Sequence, residues 1–300
     1  MTRKDRWMSS FWGRREFLGL LAASAFAGNV RAQATPRIAA IDWAMLETAV
    51  ALGVMPVAAT ELIQFRIGAV EPEIPENVAD LGLRGAPNFE LLQLIRPDLI
   101  LISPFYTRYT GRLEAIAPVF SLPFYVKGEP PFEKALAAVT ALGEKLGRTG
   151  GARQVLGETE AALQAMRTRI ASFSARPTYV INIGDARHFR AFGADSMFGD
   201  VLGRLGLANA WVDRSQFTFA APVPLENLAA TPEARIVIVS DVPVEARESL
   251  RNSAIWRALP AVREGRVVTL GNVSPYGGIT AGMRFARLLT EALASQGETL

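Results

Sequence analysis

The sequence of 300 residues contains no cysteine and a single histidine, His188. The lack of cysteine excludes disulfide bonds, thiolate metal sites and a lipid-modified N-terminal cysteine. A metal centre built from several imidazoles is equally disfavoured, because only one imidazole is available. We therefore expect no metal ion bound directly by the protein. A chain of this length can bury an apolar core large enough to fold without disulfides.

Common enzyme signatures are also missing. No Gly-x-Ser-x-Gly, His-Glu-x-x-His or Gly-x-Gly-x-x-Gly motif occurs. Glu71 and Glu73 form a carboxylate pair, but their proline-rich surroundings are typical of a solvated loop. His188 falls in a predicted strand, where a structural role is expected. We predict a binding protein, and an exported α/β enzyme such as a hydrolase using His188 is the alternative.

No apolar run reaches the roughly twenty residues that a membrane span requires. The short apolar run at residues 20–27 follows the pair Arg14-Arg15 and precedes Ala32-Gln33-Ala34. A charged region, a short apolar region and a small-residue cleavage site predict a twin-arginine export signal over residues 1–34. We therefore expect a soluble mature protein in the periplasm.

Basic and acidic residues nearly balance once this segment is set aside. The full chain has a formal net charge of +3, but residues 1–34 hold six basic and two acidic residues, so the rest carries about −1. Binding to a phosphate backbone needs clustered lysine and arginine. We expect no nucleic-acid partner.

One stretch of sequence recurs in weaker form near the C-terminus. Residues 81–103 read LGLRGAPNFELLQLIRPDLILIS, and residues 224–240 read PLENLAATPEARIVIVS. Both place a Leu/Phe-Glu-x-Leu helix start before a proline, an acid and an apolar run that ends in serine. Each copy predicts a helix that leads into a buried strand. The repeat therefore predicts two similar α/β lobes with a ligand cleft between them.

The remaining pattern fits this organisation. Strands that alternate with helices in the first half predict a parallel sheet. Apolar residues at near-helical spacing over residues 153–173 predict a long connecting helix. The predicted strands are 37–42, 54–60, 99–103, 178–183, 188–192, 236–240 and 266–270, and the helices are 43–52, 88–95, 132–146, 196–205, 255–259 and one from 281. The predicted domains are 35–150 for the N-terminal lobe, 151–174 for the connecting helix and 175–300 for the C-terminal lobe.

Several short motifs occur in a fixed order after residue 34. They are Asp42-Trp43 with Glu47 and Ala51-Leu52-Gly53; Asp80-Leu-Gly-Leu-Arg84 with Pro87-Asn88-Phe89-Glu90; Arg187-His188 with Phe192-Gly193 and Ser196; Leu205-Gly206 with Asn209-Ala210-Trp211; and Tyr276-Gly277. In order and spacing the set resembles the iron–siderophore binding proteins of ABC importers, which are class III substrate-binding proteins, and most closely the ferric-hydroxamate type.

The resemblance implies two α/β lobes joined rigidly by one long α-helix, with a ferric siderophore in the cleft. Iron would be held by the siderophore, so no cofactor and no protein metal site are expected. A ferric tris-hydroxamate is close to neutral, and its oxygens still accept hydrogen bonds. Arginine and tyrosine supply suitable donors.

The resemblance also assigns residues to the ligand site. Arg84, Tyr106 and Tyr276 match the family's arginine and two tyrosines at the iron centre, with Tyr109 as a neighbouring alternative to Tyr106. Phe217 and Trp43 are candidates for the aromatic wall.

The chain departs from the hydroxamate pattern where that family often has tryptophan around the pocket. Gly68, Thr218 and Ser274 occupy these places. The identity of the siderophore is therefore open, and a haem or cobalamin binder of the same fold is an alternative.

Glu90 and Glu226 occupy matching places in the two copies of the repeat. By the resemblance, one acid per lobe docks onto arginines of the membrane permease, an inner-membrane partner. An ordinary acid favoured by the dipole of its own helix is the simpler interpretation. The protein is expected to act as a monomer.

Overall fold

The computed structural model describes residues 35–213 and 222–297. The predicted export signal, Phe217 and Thr218 lie outside these ranges. From Pro36 onward the chain forms one compact unit built around two five-stranded sheets. We call the part around the first sheet the N-terminal lobe (residues 36–145) and the part around the second the C-terminal lobe (residues 178–297). The prediction of two α/β lobes is confirmed.

The sheet of the N-terminal lobe has the order β3-β2-β1-β4-β5, and all its strand pairs are parallel. All three residues of β1 are buried, as expected for the centre of a sheet that is covered on both faces. The strands are β1 (Ile38–Ala40), β2 (Ala58–Ala59), β3 (Ala79–Asp80), β4 (Leu99–Ile102) and β5 (Val119–Ser121).

Five α-helices connect these strands or follow them. Asp42 starts α1 because its carboxylate accepts hydrogen bonds from the backbone N–H groups of Ala44 (2.8 Å) and Met45 (3.2 Å). The chain leaves α1 at Gly53, whose φ of +74° suits glycine. The helices are α1 (Trp43–Ala51), α2 (Leu62–Gly68), α3 (Phe89–Ile95), α4 (Thr110–Glu114) and α5 (Pro131–Lys145), and a 3₁₀ helix (Pro104–Tyr109) precedes α4.

A long helix, α6 (Thr149–Arg169), carries the chain from the first sheet to the second, and a short 3₁₀ turn (Ala171–Phe173) follows it. It packs against α5 and against the C-terminal helix. Among the described residues, no helix is both long enough and apolar enough to cross a membrane.

The sheet of the C-terminal lobe has the order β10-β9-β6-β7-β8. Strand β6 pairs in parallel with β9, but β7 and β8 run antiparallel to their neighbours. The sheet is therefore mixed, with parallel pairs from β10 to β6 and antiparallel pairs from β6 to β8. The strands are β6 (Thr178–Ile183), β7 (His188–Ala191), β8 (Val223–Pro224), β9 (Arg235–Ile238) and β10 (Val267–Thr269).

The second copy of the repeat starts with a 3₁₀ helix (Leu225–Ala230), whereas the first copy starts with α3. Pro232 disfavours the α-helical conformation at Thr231, which is not helical (φ −126°, ψ 82°), so the helix stops there. The α-helices of this lobe are α7 (Met197–Arg204), α8 (Val244–Asn252), α9 (Ala254–Ala258), α10 (Pro260–Arg263) and α11 (Ile279–Gly297).

A buried carboxylate joins the two lobes. Glu47 on α1 accepts hydrogen bonds through Oε2 from the backbone N–H groups of Gly278 (2.8 Å) and Ala281 (2.9 Å), at the start of α11. Its Oε1 is buried without a hydrogen-bond partner. Burial raises the pKa of Glu47 to about 8, although the two N–H donors lower it. Gly277 packs so closely on this carboxylate that a Cβ there would overlap Oε1.

Two further contacts tie the lobes together. The Tyr125 hydroxyl donates to the carbonyl of Gly277 (2.5 Å). Glu71 pairs with Arg284 (2.5 Å) and with Arg287 (2.6 Å), both on α11. The lobes are therefore joined by direct polar contacts as well as by α6.

Candidate functional site

A cavity of about 520 Å³ lies at the carboxyl end of the N-terminal sheet. Segments that follow each of its five strands contribute to the lining, which is where α/β sheets bind ligands. The C-terminal lobe contributes Tyr276, which follows β10. The described residues that line the cavity are Asp42, Glu61, Arg84, Gly85, Ser103, Pro104, Phe105, Tyr106, Pro123, Phe124, Tyr125, Val126 and Tyr276.

Arg84 is held from two sides. Its Nε donates to Glu61 Oε2 (2.6 Å), and its backbone N–H donates to Glu61 Oε1 (3.0 Å). Its guanidinium carbon lies 4.1 Å from the centre of the Trp43 ring, a cation–π contact. These contacts use Nε and one face of the guanidinium, so the two terminal nitrogens remain for Tyr106, with which the side chain also interacts, and for a ligand.

Glu61 reaches Arg84 from an unusual backbone conformation. Its φ of +51° and ψ of 42° are left-handed, a region that costs free energy for any residue with a Cβ. Its backbone N–H donates to the carbonyl of Gly82 (2.8 Å). Asp80 stabilises the start of α2 in its place by accepting from the N–H of Leu62 (3.0 Å). Because Asp80 accepts the N–H group at the start of α2, the carboxylate of Glu61 is left to accept hydrogen bonds from Arg84.

Asp42 lines the cavity next to Ser103. The Ser103 hydroxyl donates to Asp42 Oδ2 (2.8 Å), while Oδ1 caps α1. Burial raises the pKa of Asp42, and the hydrogen bonds from Ser103 and the backbone, together with the nearby charge of Arg84, act in the opposite direction.

Tyr106 lies almost wholly buried in the cavity wall, with 4 % of its surface exposed. Burial, followed by the charge of Asp42, raises the pKa of Tyr106 to about 12, whereas Arg84 lowers it. The hydroxyl therefore stays protonated at neutral pH and can act as a donor. Phe105 packs edge-on against Tyr106 (5.3 Å between ring centres) and is 79 % exposed.

Two tyrosines meet where the lobes face each other. The rings of Tyr125 and Tyr276 pack edge to face, 5.5 Å apart. Burial of its hydroxyl raises the pKa of Tyr125 although part of the ring is exposed. Burial also raises the pKa of Tyr276, against a lowering by the charge of Arg190 on β7. Tyr276 is half exposed, so its ring is accessible from the cleft.

The structure brings three of the five predicted ligand residues together, since Arg84, Tyr106 and Tyr276 all line the cavity. Trp43 lies behind Arg84 and is 8 % exposed; its Nε1 donates to the carbonyl of Thr60 (3.0 Å). Trp43 does not line the cavity, and its ring packs against the guanidinium of Arg84. Phe217 lies outside the described residues.

Two of the positions that differ from the hydroxamate pattern can be located. A Cβ added to Gly68 would have no neighbour within 4 Å, so this position opens onto free space. Ser274 is buried, and its hydroxyl accepts from the backbone N–H of Tyr276 (3.3 Å). Neither residue lines the cavity, and Ser274 instead supports the loop that carries Tyr276.

Sequence reasoning missed several cavity residues. Glu61 and Tyr125 were not predicted, and Asp42 was noted only as part of a motif. Ser103 could have been found, because a polar residue directly after a buried strand is a candidate ligand contact. Nothing in the local sequence indicates that Glu61 adopts a left-handed conformation, or that Tyr125 crosses to the other lobe.

His188 lies outside the cavity. Its Nδ1 is 3.0 Å from the carboxylate of Asp185, and it lines a separate hollow of about 160 Å³ that also includes Glu226. Glu90 and Glu226 are both exposed, and neither lines the cavity.

A larger hollow of about 850 Å³ lies elsewhere, among α5, α6 and α7. It is lined by helix surfaces alone, with residues such as Leu156 and Leu163, and receives no strand end. The convergence of donors, more than volume, therefore identifies the 520 Å³ cavity as the candidate site.

The donors in this cavity suit a ligand rich in oxygen. Arg84 and the tyrosines can donate hydrogen bonds, and the aromatic rings can cover hydrocarbon. Among the described residues, no group of three or more His, Asp or Glu is placed to hold a metal ion. The arrangement can bind and orient a ligand through its outer oxygen atoms.

Known proteins share both the sequence and the fold. The chain is 30 % identical to the iron(3+)-hydroxamate-binding protein FhuD of Escherichia coli over 87 % of its own length and 88 % of that protein. It is 27 % identical to the achromobactin-binding periplasmic protein of Dickeya dadantii, over 83 % of this chain and 82 % of that one.

The structure also matches the crystal structure of the Fe³⁺–Desferal-bound siderophore-binding protein FhuD of Vibrio cholerae. The TM-score is 0.80 at 25 % identity, and the match covers 87 % of this chain and 98 % of the other. These relatives are binding proteins, and none of the three is named as an enzyme. The family model described as periplasmic binding protein matches residues 38–273, a span that includes both sheets and all the described cavity residues except Tyr276, and the chain belongs to this family.

Proposed function

We propose that this protein captures a ferric siderophore of the hydroxamate type in the periplasm and delivers it to an ABC importer of the inner membrane. The observation that carries the proposal is the convergence of Arg84, Tyr106 and Tyr276 on one cavity at the strand ends. The names of the relatives, a hydroxamate-binding and a Desferal-bound protein, support the same ligand class.

The hydrogen-bond donors in the cavity explain how it would bind a ferric hydroxamate. In a ferric tris-hydroxamate, the metal is enclosed by six oxygens that remain hydrogen-bond acceptors. The terminal nitrogens of Arg84 and the hydroxyl of Tyr106 donate to these oxygens from the N-terminal lobe, and Tyr276 contacts the complex from the C-terminal lobe. Burial strengthens a charged hydrogen bond of this kind, because water competes less.

The first test is binding by the purified mature protein. Titration with ferrioxamine B, followed by quenching of tryptophan fluorescence, should show saturable binding at a one-to-one ratio. Iron-free desferrioxamine B, which lacks the compact iron centre, should bind much more weakly. Equal affinity for the two forms, or protein-bound zinc or iron without a chelator, would refute the proposed ligand.

Delivery is proposed to use one exposed acid on each lobe. Glu90 lies in the first turn of α3, and Glu226 lies in the first turn of the 3₁₀ helix that begins the second repeat. Replacing both with alanine should lower uptake in cells without changing siderophore affinity, and replacement with lysine should lower uptake further. Glu73→Ala/Glu76→Ala, at two other exposed acids, is the matched control. Normal uptake by the Glu90/Glu226 variant would exclude docking through these residues.

Export by the twin-arginine route is part of the proposal. Replacing Arg14 and Arg15 with lysine in the full chain should retain the protein in the cytoplasm, as cell fractionation would show. Unchanged delivery to the periplasm would refute this route. The mature protein is proposed to be a monomer, which light scattering during gel filtration can test.

A further inference from the structure

Glu61 carries a negative charge into the cavity wall. Its carboxylate accepts both the backbone N–H and the Nε of Arg84, and its side chain is only 16 % exposed. The two opposite charges therefore face each other at 2.6 Å before any ligand enters. The cavity presents the hydrogen-bond donors of an arginine without its full net charge.

The rest of the cavity wall adds little positive charge. Among the described residues that line the cavity, the charged ones are Asp42, Glu61 and Arg84. In the C-terminal lobe, Arg190 is near enough to act on Tyr276. One arginine and two carboxyl groups line the described part of the cavity, which therefore carries no net positive charge.

The charge of a ferric complex depends on its chelating groups. Three hydroxamates, each with a charge of −1, neutralise Fe³⁺, whereas each catecholate that replaces a hydroxamate adds one further negative charge. An anionic complex entering this cavity would lose water and meet the carboxylate of Glu61 beside the arginine it approaches. Close like charges in a partly desolvated site oppose binding.

We propose that Glu61 is a specificity-determining residue that makes the cavity select ferric complexes without net negative charge. This inference rests on the proposed function, because it assumes that a ferric chelate binds beside Arg84. It goes further in assigning the rejection of anionic chelates to one carboxylate. Glu61 acts by compensating the charge of Arg84 while leaving its terminal N–H groups to the ligand.

The test uses two synthetic tripodal chelators on the same scaffold, one with three hydroxamate arms and one with a single arm replaced by catecholate. Their ferric complexes have charges of 0 and −1, and the extra charge lies at the iron centre. The wild-type protein should bind the neutral complex about tenfold more tightly than the anionic one, since one uncompensated charge at this range is worth about that factor.

Glu61→Gln removes the charge and keeps the size of the side chain. It should bring the two affinities to within about threefold of each other by improving the relative binding of the anionic complex. Glu61→Asp keeps the charge on a shorter side chain, so overall affinity should fall while the preference for the neutral complex remains. Glu73→Gln, at an exposed acid outside the cavity, should leave the ratio unchanged.

If Glu61→Gln does not fold, Glu61→Gly provides the charge-free variant, because glycine favours the left-handed backbone found here. A wild-type protein that binds both complexes equally would overturn the inference. So would a charge-free variant that loses both affinities in proportion, because Glu61 would then only position Arg84. If the wild-type protein binds neither complex, the proposed function itself fails, a result distinct from equal binding.

Discussion

Glu47→Gln should change how the stability of the protein depends on pH. Glu47 has a usual pKa of 4.5, which burial at the start of α11 raises to about 8 in the folded state. Between these values the folded protein holds a proton that the unfolded chain has released. The free energy of unfolding should therefore fall as pH rises through this interval. The contribution of Glu47 to this fall is about 1.4 kcal/mol for each pH unit.

Summed over the interval, the contribution is on the order of 5 kcal/mol, present in full below pH 4.5 and lost by about pH 8. Glutamine has the shape of the protonated acid and does not titrate. We expect the variant to match the wild-type protein within about 1 kcal/mol near pH 5 and to be the more stable of the two at pH 8.

Urea unfolding of both proteins at pH 5, 6, 7 and 8 measures this difference directly. Asp42, whose pKa is also raised, is present in both proteins, and its charge helps to raise the pKa of Glu47, so the difference between the two curves reports Glu47 together with this coupling. Glu73→Gln, at an exposed carboxylate, is the control and should follow the wild-type curve. A Glu47→Gln variant that is less stable than the wild-type protein at pH 8, or that keeps its pH slope, would refute this reasoning.

Three further predictions concern single side chains. Arg84→Ala should weaken the binding of a ferric hydroxamate by roughly 1.5–3 kcal/mol in fluorescence titrations, and unchanged affinity in a folded variant would remove Arg84 from the site. Tyr106→Phe, which keeps the buried ring and loses the donor, should weaken the same binding by about 0.5–1.5 kcal/mol, whereas Tyr109→Phe should not. Gly277→Ala places a Cβ against Glu47 and Ala281 and should destabilise the fold by about 1–3 kcal/mol, while Gly157→Ala, which meets no atom within 4 Å on α6, should be neutral or stabilising in the same thermal unfolding assay.

The sequence predicted those elements whose signals are local. Apolar runs revealed β1, β4, β6 and β9, and glycines with positive φ mark the ends of α1, α5 and α7 at Gly53, Gly147 and Gly206. By contrast, β3 is two residues long and is defined by its pairing with β2. No periodicity can be read in two residues. Helix α2 was missed because Ile63 and Ile67 are apolar but exposed, which hides the helical pattern.

The residues of the candidate site also fall into two groups, those that local motifs indicate and those that only long-range contacts reveal. Arg84, Tyr106 and Tyr276 follow strands or glycine-rich turns within recognisable motifs, so the sequence could place them. Glu61 takes its role from a backbone angle and from a partner 23 residues away. Tyr125 takes its role from a hydrogen bond that spans 152 residues. Long-range contacts of this kind leave no trace in the sequence around either residue.

The polar contacts between the lobes have a consequence for signalling. Glu47, Tyr125 and Glu71 each bond to the segment that begins at Gly277 or to α11, so opening the cleft widely would break all three connections at once. Because these contacts hold the lobes together, the angle between the lobes can change little when a ligand binds or leaves. On the proposed function, the permease would instead have to read occupancy from the exposed surface of the ligand and the residues around it.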